Sequence, residues 1–472
     1  MNKIIASLLA VAAVGSFSAI ADVGTAPAPA QKDMVKQIEE GPYVETAQKG
    51  VKLSGFVDAG YSYNFTGGTS ANGNNNESNK VGTDAIRRGE FNLNALKLSL
   101  EKPLSDKNEA QAGFRADLMF GSDANAFGHN AGGTGTASAN NNGTTTDSLY
   151  VQQAYAQFRA PIGNGLDFNV GKFVTPIGYE VQERPANLNI TYGNLFWNAQ
   201  PLNHVGVLTK YKWNDTVDTE FGIVNGWNAD SGANGGSANL PAGTIGKLNN
   251  SASLLASVNL TAPGGNANLK QTVYYAINGD QGFSNFANNG VGSATDNTAN
   301  VLYDVWGNWV PKWTVGTGKD ARKDPLLLGF NIDLGYFQPQ SGNFSGPGGA
   351  PASIISGDSD TYWGAAVYAK YQFNDIFSLA NRVDYFHDST GAKFNPNGSF
   401  MSADTTTGAY NTLPGRVDIW SETLTASFDV IENLSLRTEY RLDYGDGIMG
   451  GNGGSKAAGP AHQGVAEVVY SF

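Results

Sequence analysis

Cysteine is absent from all 472 residues, so the chain has no disulfide, no thiolate metal ligand and no cysteine nucleophile. Charge is scarce as well: Asp, Glu, Lys and Arg make up 15%, where about 25% is usual for a soluble domain. The charge that remains is acidic, 42 carboxylates against 30 basic side chains, which leaves no basic face for nucleic acid. Histidine occurs four times, at His129, His204, His387 and His462, and none has a serine or aspartate partner in a recognisable catalytic motif. No nucleophile elbow, phosphate-binding loop or metalloprotease helix is written in the sequence, and glycine-rich runs such as 232–246 lack the strand and helix that would make them nucleotide loops. These absences predict no cofactor, no metal and no enzymatic centre. Past residue 14, no apolar run approaches the ~20 residues of a spanning helix.

The N-terminus carries an export pattern. Lys3 supplies a positive start, residues 4–14 are apolar, and Ala19-Ile20-Ala21 fits small-x-small cleavage, which predicts a signal peptide over 1–21. Removing Lys3 leaves 29 basic residues against 42 acidic, which takes the net charge from −12 to −13. Residues 22–50 read as a Pro/Ala-rich periplasmic linker. From 51 onward the chain alternates: Val51, Leu53, Val57, Ala59, Tyr61, Tyr63 and Phe65 share one parity, and Lys52, Ser54, Asp58 and Ser62 the other. Period two separates two faces of a strand. The same pattern recurs sixteen times, over roughly 51–65, 91–101, 109–120, 149–160, 165–173, 203–213, 217–227, 251–262, 268–278, 300–310, 325–337, 361–373, 376–387, 417–430, 433–443 and 463–472. The second segment changes register near Ala95, the fourth is Gln-rich on one face, and the tenth and fourteenth are apolar on both.

Connections alternate between long Gly/Asn/Thr stretches and tight turns such as Asn374-Asp375, with 311–324 longer than its peers. Long–short alternation over an even number of strands predicts an all-β, up-and-down antiparallel transmembrane β-barrel spanning 51–472, with long outer loops and short periplasmic turns. A closed barrel is the one sheet that satisfies every backbone group in lipid, so outer-membrane lipid is the expected surround. It also explains why the chain stops on a strand, Phe472 closing against the first. Aromatics fall at both strand ends: Tyr61, Tyr63, Phe65 and Trp227 outside, Trp213, Trp309, Tyr371, Phe373, Phe428 and Phe472 inside, as two girdles require. Arg115, Asp117, Lys172, Lys210, Lys212, Arg382, Asp384, Arg437, Glu439 and Arg441 are assigned to the inward face, where they line a water-filled lumen of the width that sixteen strands leave. His204 is placed inward too. On this register Leu436→Arg should be costly and Arg437→Leu mild.

Residues 170–213 carry a resemblance. Gly171-Lys172-Phe173, Thr175-Pro176-Ile177-Gly178-Tyr179-Glu180, Pro201 with His204-Val205-Gly206, and Asn225-Gly226-Trp227 resemble the beta-barrel porin-2 family of OmpL-like outer-membrane proteins, and the likeness extends from Gly55 to Phe472. One departure is Thr191-Tyr192-Gly193, where a Ser-Arg-like polar pair would stand. The resemblance implies an outer-membrane channel, and it implies that Tyr470 and Phe472 belong to the signal read by the barrel assembly machinery. A homo-oligomer, a trimer by analogy with other porins, is the expected assembly.

Two functions follow from this reading: a porin for passive diffusion of small hydrophilic solutes, or a surface-display or adhesion barrel acting through its loops. The link from Val174 to Leu202 bears on the choice. It is rich in Ile, Leu, Tyr, Phe and Trp and is stiffened by Pro176, Pro185 and Pro201, so it needs a surface to bury against. It is expected to fold inward and narrow the pore, with Glu180, Glu183 and Arg184 as the charges a solute meets. The alternative is packing between neighbouring barrels.

Overall fold

The computed structural model describes residues 50–65, 89–124, 127, 149–226, 253–276, 300–317, 322–337, 342–345, 351–354, 360–389, 416–445, 449–450, 456–457 and 460–472. The expected signal peptide and nearly all of the linker, with Trp227 and His129, lie outside them. Sixteen strands form one closed barrel in which each pairs antiparallel with its sequence neighbours. In chain order they are β1 (Lys52–Asn64), β2 (Glu90–Lys102), β3 (Gln111–Phe120), β4 (Leu149–Ala160), β5 (Leu166–Val174), β6 (Asn203–Lys212), β7 (Val217–Val224), β8 (Ser253–Thr261), β9 (Ala267–Ala276), β10 (Asn300–Trp309), β11 (Leu326–Phe337), β12 (Asp360–Gln372), β13 (Phe377–Asp388), β14 (Val417–Ile431), β15 (Leu434–Gly445) and β16 (Ala461–Ser471). Every strand expected from alternation is present, with ends moved by a few residues. No helix among the described residues is long and apolar enough to cross a membrane; the strands do the crossing.

The barrel closes where the sequence ends. β16 pairs with β1, and Gly55 and Phe472 exchange backbone hydrogen bonds at 2.9 and 3.0 Å. Tight turns are set by asparagine: Asn214 Oδ1 accepts the N–H groups of Thr216 and Val217, and Asn374 Oδ1 those of Ile376 and Phe377, the side-chain mimic of a backbone turn that favours this residue. The longer turn between β10 and β11 contains a two-residue hairpin, Thr314–Val315 with Arg322–Lys323.

Alternation fixes two faces. Leu53, Val57, Val207, Phe221, Val258, Leu334, Val367, Leu424 and Val468 stand outward and exposed, while Asp58, Asp117, Glu220, Asp304, Asp333, Asp384 and Glu439 at the other parity are buried inside. Exposed aromatics crowd both ends, Phe65, Phe91, Trp363, Trp420 and Tyr444 at the loop end and Trp213, Trp309, Phe373, Phe428 and Phe472 at the turn end. Irregularities have local causes. The register change near Ala95 is a β-bulge: Asp58 pairs with Ala95 and Ala59 with Leu93, leaving Asn94 as the extra residue, with its amide donating to Asp58 at 2.8 Å. A second bulge at Gln152 turns both Gln152 and Gln153 inward, which explains the Gln-rich face of β4.

Candidate functional site

β10 and β14 carry apolar residues on both faces because the lumen holds a core. Residues 175–202 leave β5 at the loop end and turn into the barrel. Ile177, Tyr179, Leu188 and Leu195 pack with inward residues of the wall, including Leu208, Leu255, Tyr274, Leu302, Trp306, Tyr368, Phe386 and Ile419. The segment contains a one-turn 3₁₀ helix, Arg184–Ala186, with Pro185 in its first turn, and a short α-helix, α1 (Asn194–Asn198). Two wall glycines make room for it. A Cβ on Gly329 would lie 2.7 Å from the Tyr179 hydroxyl, and one on Gly364 would lie 2.8 Å from Leu195 Cδ1.

Polar groups fasten the segment around the wall. Arg437 of β15 donates to the carbonyl oxygens of Arg184 and Asn187 at 2.9 and 3.3 Å. Two residues on, Glu439 accepts the backbone N–H groups of Ile190 and Thr191 at 2.5 and 3.0 Å, and two further on Arg441 donates to the Tyr192 carbonyl at 2.6 Å. Period two places these three side chains in a vertical row on one face, and the row reads the backbone of the segment in succession. On β13, Arg382 donates to the Thr191 carbonyl at 2.6 Å and pairs with Glu180 at 2.5 Å, while Asp384 accepts from the Asn194 N–H and side-chain amide at 3.2 and 2.5 Å. Across the barrel, Asp304 accepts from Gly178 N–H and Asn331 from Tyr179 N–H, both at 3.1 Å, and Gln200 donates to Asn331 and Asp333 at 2.7 and 2.8 Å.

Glu180, Glu183 and Arg184 do come inward, but their charges are not presented to a passing solute. Each is at most 7% exposed and consumed in a pair: Glu180 with Arg382, Glu183 with Lys97 of β2, and Arg184 with Asp123 through two hydrogen bonds of 2.6 and 2.7 Å. The physical reason is desolvation, since an ion taken out of water needs a counter-ion and its remaining hydrogen bonds. Burial pushes the Glu180 carboxyl up, while the Arg382 guanidinium and the Gly193 N–H pull it back down.

The other expected lumen residues divide. Arg115 is partly exposed and bonded to Asp117 and Glu101, and Asp117 in turn supports Lys97. Lys210 lies 3.5 Å from Glu220, which also pairs with Lys270 at 2.7 Å. Lys212 is at the turn end, paired with the exposed Asp215. Lys172 has the backbone parity of outward Val170, pairing with Ala154 and Val205, yet its ammonium lies 4.6 Å over the ring of Tyr150, which is buried with Phe127, Tyr192 and Phe196 inside the barrel, so its charge ends on the inward side. Gly171 beside it has φ 138°, a kink that simple alternation does not anticipate. His204 is inward but fully buried, between the Thr175 hydroxyl at 3.0 Å and the Gly226 carbonyl at 3.1 Å; it holds the root of the inward segment and does not face open lumen.

Asp123 and Phe127, which follow β3, gave no signal in the sequence because they sit at the start of a Gly/Asn-rich link. Phe127 is fully buried, stacked on Trp197 at 5.7 Å and edge-on to Tyr192 and Phe196. Together with the Arg184–Asp123 pair, it latches one outer connection onto another.

Solved structures with this architecture include OprB of Pseudomonas putida, TM-score 0.51 at 13% identity over 92% of this chain and 97% of that one. OmpF of Salmonella typhi in complex with daunomycin gives 0.50 at 10% over 89% and 97%. At such identities the likeness is one of fold. No curated protein matches the sequence. The family model described as "Putative beta-barrel porin-2, OmpL-like" matches residues 50–472; the chain belongs to that family and is an outer-membrane porin, a channel protein of the outer membrane.

Proposed function

We propose that this porin conducts small hydrophilic solutes passively through a passage whose width is set by residues 174–202. The carrying observation is the fastening of that segment to inward residues of β2, β10, β11, β13 and β15. Lys210, Glu220 and Lys270 form a paired charge cluster on the wall at β6, β7 and β9, on the turn side of the segment's apolar contacts with β8 and β9. In this reading the charged groups divide by role. Arg382, Asp384, Arg437, Glu439 and Arg441 hold the segment, Glu180, Glu183 and Arg184 are its own anchoring charges, and Arg115, Lys210 and Lys212 line the turn-end vestibule. The protein acts without catalysis, cofactor or metal. It is exported by its signal peptide, is inserted by the assembly machinery through Tyr470 and Phe472, and forms a homo-oligomer, a trimer by analogy.

Dense packing inside the barrel favours a second reading, a display barrel whose lumen is idle. Conductance of the purified, folded protein in planar bilayers separates the two. Stable current steps support the porin reading, and silence from a folded sample supports display.

A further inference from the structure

Most outward side chains between the two girdles suit hydrocarbon. On β7 to β11 they include Phe221, Ile223, Val258, Val273, Ile332 and Leu334, all exposed, and the polar pair among them, Gln271 and Tyr303, satisfies itself through a 2.8 Å hydrogen bond. The wall from β13 to β16 is different. Glu422 stands at outward parity on β14, exposed, between the exposed Trp420 and Leu424. It takes part in no hydrogen bond or ion pair among the described residues. An ionisable side chain turned toward lipid is costly and calls for a partner. Four residues further along β14 begins a row of small side chains: Ala426, Thr438 and Ala466 are cross-strand neighbours on β14, β15 and β16, the last two exposed. Next to that row, Asn381 of β13 lies opposite Leu424, and Gly464 of β16 opposite Tyr440.

Association inside a membrane uses this combination, small residues that let two backbones approach and polar groups that bond across the gap. We infer that the outer face of β13–β16 is where one copy of this chain packs against a second, with Glu422 as the polar contact. The neighbour's copy of the same face supplies donors for a carboxylate. One is the exposed Thr438 hydroxyl. Another is the hydroxyl of Tyr440, 47% exposed and bonded to His462 Nδ1, which keeps capacity for a further bond because a phenol both donates and accepts. Acyl chains offer no donor at all. A barrel folded singly exposes this face to hydrocarbon, and assembly replaces the lipid with the neighbour. The inference rests on the homo-oligomer of the proposed function and locates its contact.

The absence of cysteine makes the test direct. A benzophenone maleimide is attached to Thr438→Cys or, on the far wall, to Val258→Cys, and each full-length barrel is illuminated in mild detergent. The interface predicts a covalent dimer from Thr438→Cys and none from Val258→Cys. Sedimentation in the same detergent then compares Glu422→Leu with the parent. The interface predicts self-association weakened about tenfold or more, with the far-UV spectrum and heat-modifiable migration retained. A Glu422 that meets only lipid predicts the reverse, since leucine suits hydrocarbon better and leaves the oligomer intact. Capture at Val258 and not at Thr438, or association unchanged in Glu422→Leu, overturns the interface and leaves the homo-oligomer standing. A parent that sediments as a monomer defeats the homo-oligomer, and the interface with it.

Discussion

Leu424 stands outward on β14 midway between Trp420 and Phe428, the aromatic residues that mark the two girdles on that strand, and is exposed to the surround. An arginine there meets hydrocarbon, so Leu424→Arg should destabilise by about 2–4 kcal/mol. Leu436 pairs with Phe428 and therefore lies at girdle depth, where the same change costs about 0–1 kcal/mol. The sequence placed both faces of β15 correctly but not the depth of Leu436, and it missed what Arg437 holds. Arg437→Leu was expected to be mild because inward residues were taken to face water. In fact it removes two bonds to the segment and strands Glu467, 3.2 Å away, so the loss is about 3–5 kcal/mol. Denaturant titration of barrels folded in vesicles reads all three, and the predicted order of cost puts Leu436→Arg last. At the terminus, deleting Phe472 removes both backbone bonds to Gly55 and one girdle ring. Membrane levels of the truncated chain should fall sharply; normal levels would show that β1 and β16 close without it.

Among the elements, the sixteen strands were legible because period two survives even where bulges interrupt it, as at Asn94 and Gln152. That residues 174–202 need a surface was legible from composition, but composition left that surface open between the barrel's own lumen and a neighbouring barrel. Their partners were not. Nothing in the spacing of Arg382, Arg437, Glu439 and Arg441 says that they bind the backbone of a segment some two hundred residues earlier, and the kink at Gly171, which lets Lys172 reach the ring of Tyr150, is equally silent in the alternation. The latch from Asp123 and Phe127 was hidden in a low-complexity link. It yields a prediction at this scale: Asp123→Ala leaves Arg184, only 1% exposed, without its carboxylate. The barrel should stay folded while the segment loosens, seen as noisier single-channel current and faster proteolysis within 180–197. Quiet current and unchanged cleavage would mean that the wall contacts suffice alone.

As a whole molecule, the chain joins a sheet closed on itself to an internal core that one connection supplies. The closed sheet predicts a far-UV spectrum dominated by strand and heat-modifiable migration on electrophoresis, with protease sites confined to the loop end. A helix-rich spectrum would contradict the architecture. The internal core predicts that function depends on the inward segment more than on any wall residue, because the wall's charges are engaged in holding it. The most direct measurement is single-channel conductance of the parent against a variant in which residues 180–197 are replaced by a short Gly/Ser bridge, both verified as folded. A segment that narrows the lumen predicts a larger conductance and altered ion selectivity in the variant, with the oligomeric state retained. Unchanged conductance together with loss of the oligomer would contradict the account and assign the segment to contacts between barrels.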